Sequence, residues 1–148
     1  MIEAAIVTHL LASPAVTALV GDRIRPMVPD QGSAYPHLVY VLVSDADLAP
    51  SNLGRSALRR AQLQFDCWGR TALEARRLAD ELAKSLDPHR EPGDTWVPII
   101  TTPDVAVRVG RETQRLVLPE FDAPVPNQPS ARPVRVVVGF AFDYHLYS

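Results

Sequence analysis

Only one cysteine, Cys67, occurs in the 148 residues, so an internal disulfide framework and a paired-cysteine metal site are both excluded. No stretch approaches the ~18 consecutive apolar residues of a membrane-spanning helix. Positive charge is missing near the start, where Met1-Ile2-Glu3-Ala4 carries an acid; this argues against a secretory leader. Net charge is scarce as well. Fifteen basic residues stand against 17 acidic ones, a formal charge of −2, which leaves no footprint for a protein that binds nucleic acid by neutralising phosphates. Lysine is almost absent: Lys84 stands alone beside 14 arginines, a bias to which no chemistry attaches.

Proline is what the chain has in excess. Its 14 prolines cluster in 26–36, 88–103 and 119–133, between hydrophobic runs, and mark stiff connections. The length suits one domain spanning 1–148.

Ile2, Ala5, Ile6 and Leu10 share one face of a helix near 2–12. Ser13-Pro14 reads as a cap and first helical residue, and Gly21 as a left-handed stop. Residues 2–20 thus form either a helix hairpin or one kinked helix, and a short strand is expected around Ile24. Leu38 to Val43 is an unbroken apolar run suited to a strand covered on both faces. In 61–68, by contrast, Ala61, Leu63, Phe65 and Cys67 alternate with Gln62, Gln64, Asp66 and Trp68, a strand with one buried and one polar face. Between these strands, 45–57 reads as a polar hairpin tip.

Thr71-Ala72-Leu73-Glu74 is a capping box opening a helix that runs to about Leu86. Ala75, Leu78, Ala79, Leu82 and Leu86 form its apolar stripe. Opposite them, Arg76–Asp80, Arg77–Glu81 and Asp80–Lys84 are spaced as i, i+4 ion pairs, worth ~0.2–0.5 kcal/mol each. Two further strands follow, 105–118 and 134–146, the second with Val136, Val138, Phe140, Phe142 and Tyr144 on one face. The expected fold is a single α+β domain: a mainly antiparallel four-stranded sheet with one long helix and an N-terminal helical segment packed on one face. The 45–57 tip and the proline-rich 119–133 stretch are expected to project from it.

Catalytic signatures are missing. GxSxG, HExxH, GxGxxG and GxxxxGK[ST] do not occur. Cys67 shares its strand face with Leu63 and Phe65, where a thiol behaves as a small hydrophobe, so a nucleophile paired with His9, His37, His89 or His145 is not expected. Asp45, Asp47 and Asp66 with His37 are oxygen- and nitrogen-rich, but aspartates at strand ends are ordinarily solvated turn residues. No metal or cofactor is called for. Arg55, Arg59 and Arg60 read as a small basic cluster near the hairpin tip, suited to a mixed surface or a subunit contact. Trp68 beside Gln62, Gln64 and Asp66 has the composition of a protein contact with a polar rim, or else folds over the sheet end. The residues singled out for subunit or partner contact are therefore Gln62, Gln64, Asp66, Trp68, Arg55, Arg59 and Arg60.

The order Ala18-Leu19-Val20-Gly21-Asp22-Arg23-Ile24, Tyr35-Pro36-His37-Leu38-Val39-Tyr40, Ala61 to Trp68 and the helix with Glu74-Ala75 resembles the tail-completion family of long-tailed bacteriophages. The likeness covers roughly 2–87, with the last two strands agreeing in pattern. It implies a non-enzymatic structural protein, a tail terminator or tail-to-head joining protein. Such a protein forms a homo-oligomeric ring, typically of six subunits, at the head-tail junction of the virion. The ring caps the major tail tube protein, meets the head-completion connector (stopper) protein, and lets DNA pass without specific binding. No membrane is involved, and assembly takes place in the host cytoplasm. The alternative is a host-encoded binding module that uses the outer face of strand 61–68. A small hydrolase built on Cys67 or the aspartates is the remaining enzymatic reading.

Overall fold

A computed structural model describes residues 2–28, 34–48, 58–87, 98–119 and 133–147. The N-terminal segment is two helices, α1 (Ile2–Leu11) and α2 (Pro14–Val20), bent by 85°. The break follows from Pro14, which holds Ser13 in an extended conformation (φ −85°, ψ 113°) that no helix can continue through. Ser13 caps α2 with its carbonyl alone, accepting from the amide and hydroxyl of Thr17, each at 3.0 Å. Gly21 ends α2 at φ 59°, the left-handed region that favours glycine. No single helix among the described residues is long and apolar enough to cross a membrane.

The remaining elements are β1 (Ile24–Pro26), β2 (His37–Asp47), β3 (Leu58–Gly69), α3 (Ala72–Leu86), β4 (Ile100–Thr101), β5 (Val105–Pro119) and β6 (Val134–Leu146). Their sheet order is β1-β2-β3-β6-β5-β4. The fold is α+β, as expected, but the sheet has six strands among the described residues and not four. The two additional strands are short edge pieces. β1 runs parallel to β2 over Leu38 to Tyr40, and β4 pairs with β5 only at Ala106 and Val107. Pieces of two or three residues beside prolines are too short to carry an alternation.

Parity decides the layers. Ala61, Leu63, Phe65 and Cys67 of β3 and Val136, Val138, Phe140 and Phe142 of β6 face α3 and are buried with Leu78, Ala79, Leu82 and Leu86. Phe65 meets Phe140 edge-on at 5.7 Å, and Phe140 stacks on Phe142 at 5.8 Å. α3 begins as expected, with Thr71 Oγ1 accepting from the Glu74 amide at 3.2 Å. The return bond differs, because the Glu74 carboxylate takes the amide and the guanidinium of Arg70 in place of the Thr71 amide.

Three further expectations change. The run from Leu38 to Val43 is buried only at Leu38 and Val39 and half-buried from Tyr40 to Leu42; β1 ends opposite Tyr40, and Val43 is 59% exposed at a bulge. The strand also continues through Asp45 to Asp47, so the hairpin tip is shorter than 45–57, and 49–57 lies outside the described residues, as does 120–132. On α3, Asp80 bonds to Arg115 of β5 at 2.6 Å, and Lys84 pairs with Glu81 one turn back. Packing against a neighbouring strand outweighs the weak pairs along the helix.

Candidate functional site

The helices cover one face of the sheet, and the opposite face carries most of the residues singled out for contact. Arg60, Gln62, Gln64, Asp66 and Trp68 project there from β3, beside Arg135, Val137, Gly139, Ala141 and Asp143 of β6. Gln62 is exposed and the other four β3 side chains are half-buried. Charges on this face are matched across the strand pair. Arg60 grips Asp143 through two bonds of 2.6 and 2.9 Å, which raises the guanidinium's affinity for its proton. Asp66 accepts from Arg135 at 3.3 Å and from the Gln64 amide at 3.0 Å. This part of the face is polar, yet its ions are tied to one another.

Trp68 lies on the open face beside these polar residues, packed into an aromatic group. Its ring stacks on His37 of β2 at 5.8 Å, under the Arg135 guanidinium at 5.3 Å, and Tyr35 packs against both rings, 4.8 Å from His37 and 6.5 Å from Trp68. Its Nε1 is buried and has no hydrogen-bond partner among the described residues. The His37 ring is buried too, bonded through Nδ1 to the Ala34 carbonyl at 3.1 Å, and desolvation lowers its pKa.

The expected arginine cluster is divided by strand parity. Arg59 points to the helix side, opposite to Arg60, and Arg55 lies outside the described residues. Arg59 binds both Asp45 and Asp47, which share a side because β2 continues through Asp47. Tyr144 of β6 completes the group. Its hydroxyl donates to Asp45 at 2.7 Å and accepts from Arg59 Nε at 3.2 Å. Burial and the neighbouring Asp45 push the phenol pKa up to about 12. Asp66 sits on the other face, so the structure does not bring the aspartates together with His37 as a ligand set. Cys67 is fully buried, and burial raises its thiol pKa far above neutrality.

Arg135, Asp143 and Tyr144 were missed by sequence reasoning. Alternation in 134–146 puts Arg135 and Asp143 on one face and Tyr144 on the other, but only the β3–β6 register shows which side chains they meet.

A second feature lies at the sheet margins. Past Tyr40, the outer edge of β2 has no strand partner among the described residues. The outer edge of β5 is closed at its start by β4, and again where the Glu112 amide donates to Asp87 at 3.3 Å. From Thr113 to Leu118 it too lacks a strand partner among the described residues. Leu116, Val117 and Leu118 are exposed there.

No curated protein matches the sequence. Among solved structures, a chain from the virion of a native gene transfer agent particle shares the fold, with a TM-score of 0.53. It is 15% identical, and the alignment covers 95% of this chain and 93% of that one. The family model described as tail completion protein gp17 matches residues 4–118, most of the chain. With the one-sided sheet, the inert Cys67 and the matched charges of the open face, this gives the assignment: the chain belongs to the tail completion protein gp17 family and is a structural, non-enzymatic protein of the phage tail.

Proposed function

We propose that copies of this protein close into a ring, six by the family resemblance, at the head-proximal end of the tail. There the ring ends growth of the tail tube and joins it to the head connector, and DNA passes through its centre. The observation that carries this reading is the open face of the sheet. A channel wall for DNA must be hydrophilic without holding phosphates, because every phosphate neutralised by a free cation adds affinity and slows passage. The open face meets that need: glutamines interleave with Arg60–Asp143 and Arg135–Asp66, whose positive charges already have carboxylate partners. Closed rings use a heterologous interface, and a sheet with different open edges at its two margins offers one.

The test is removal of the protein from cells that produce the particle. The expected result is tails of uncontrolled length or tails detached from heads, reversed by supplying the protein in trans. Normal tails joined to filled heads would overturn the reading and favour the host-encoded binding module.

A further inference from the structure

We infer that the copies join edge to edge. The outer edge of β5 over 113–118 in one copy pairs antiparallel with the outer edge of β2 over 42–47 in the next. Leu116 then lies opposite Ser44, and Arg115 opposite Asp45. This deepens the ring reading and rests on it.

Strand direction is the first argument. β2, β3, β6 and β5 alternate in direction along the sheet, so β2 and β5 run oppositely. Head-to-tail addition of an identical sheet therefore sets β5 beside β2 in an antiparallel arrangement, and the alternation continues without a break. Two copies joined β5 to β5 would be isologous and would stop at a dimer.

The lengths also agree. β1 closes the β2 edge up to Tyr40, and the Asp87 carboxylate closes the β5 edge up to Glu112. Among the described residues that leaves a stretch of about six residues without a strand partner on each side. Both stretches expose apolar side chains, Val43 on one and Leu116, Val117 and Leu118 on the other. Neither contains lysine or an internal proline, common devices by which an edge refuses a partner. Their charged members, Asp45, Asp47 and Arg115, turn to the helix side and are engaged within the subunit.

Side-chain parity selects the register. Ser44 stands opposite Gln62 and Leu116 opposite Val137, so both point to the open face; Asp45 and Arg115 both point to the helix side. From Ser44 to Asp47 the proposed pairing matches face with face and sets Asp45 across the seam from Arg115; beyond the bulge at Val43 the faces of Leu42 and Leu118 no longer correspond.

Geometry supplies an independent check. Within one copy Ser44 is level with Gln62, whereas Leu116 is level with Val137 and Asp66, four residues further along β3. Joining Ser44 to Leu116 thus staggers each copy by about 13 Å across four strands spanning about 19 Å. The strands then tilt by about 35° from the ring axis, within the range that closed barrels adopt. The bulges at Val43 and Thr113 add the local twist that closure needs.

The experiment is disulfide trapping in assembled tails carrying Ser44→Cys and Leu116→Cys together. Three strand spacings, about 14 Å, separate β2 from β5 within a subunit, beyond the reach of a disulfide, so any link joins two copies. The expected result is a reductant-sensitive ladder of oligomers, with neither single variant linking. Ala46→Cys with Gln114→Cys, on the same face and in the same register, is the second pair should the first impair assembly. Rings visible on tails in which both double variants stay monomeric would overturn this contact and leave the ring standing. Dimers formed by Leu116→Cys alone would overturn it in favour of the β5–β5 arrangement. Tails with no multimer of the protein at all would overturn the ring reading itself.

Discussion

A methyl group on Gly110 would stand 2.0 Å from the carbonyl oxygen of Leu86, far inside contact distance. β5 crosses the end of α3 at this point, and a missing side chain lets the two backbones approach. The obstacle is main chain, which cannot rotate away as a side chain would. Gly110→Ala is expected to cost about 3 kcal/mol. In a protein of this size that lowers Tm by roughly 6–12 °C, measurable by differential scanning calorimetry. An unchanged Tm would mean that the end of α3 is free to move aside.

The core between α3 and the sheet should respond as a close-packed interior. Phe65→Ala is expected to cost about 3–5 kcal/mol and Leu82→Ala about 2–5 kcal/mol in urea unfolding, since both side chains are fully buried. Leu73→Ala on the same helix, with Leu73 78% exposed, should stay within about 0.5 kcal/mol. Equal effects at Leu73 and Leu82 would show that the helix is rotated from the face described.

Cys67 should be chemically silent in the folded protein. Burial raises its thiol pKa and removes it from solvent, so Ellman's reagent at pH 7.5 is expected to label none of it until urea is added. Rapid stoichiometric labelling of the native chain would contradict the packing of β3.

Tyr144 sets an alkaline limit. Its phenol holds a proton up to about 12 in the folded chain, against 10.0 for the free side chain. Between these values the unfolded chain loses the proton and the folded chain keeps it. This contribution is complete below pH 10 and is lost as pH rises toward 12. Tyr144→Phe should remove that part of the alkaline decline, and loss of the bond to Asp45 should cost about 1–2 kcal/mol at pH 8. Identical alkaline profiles for the two proteins would rule out the bond between Tyr144 and Asp45.

His37 acts at the acid end. Burial lowers its pKa below the ordinary 6.5, so below pH 6.5 the unfolded chain takes up a proton that the folded chain resists. Stability is therefore expected to fall as pH drops from 7 to 5, and His37→Gln should flatten that slope. A slope unaffected by the substitution would mean the imidazole is reachable by water.

Local pattern already determined much of this protein. Strand 61–68 and α3 were legible because a period of two and a period of 3.6 are properties of the backbone itself, and each divides a short stretch into two faces. Ser13-Pro14 marked the break between α1 and α2 by the same local logic, and the order of these elements carried the family resemblance. Only the tertiary structure decided which residues meet. Arg60 and Asp143 are 83 positions apart in the chain, and nothing in either neighbourhood encodes the register that joins them. Arg59 and Arg60 read as one cluster until the pleat sent them to opposite faces. The edges of β2 and β5 that lack a strand partner among the described residues were invisible for the same reason: an edge is defined by what does not pair beside it, which depends on the order of the whole sheet.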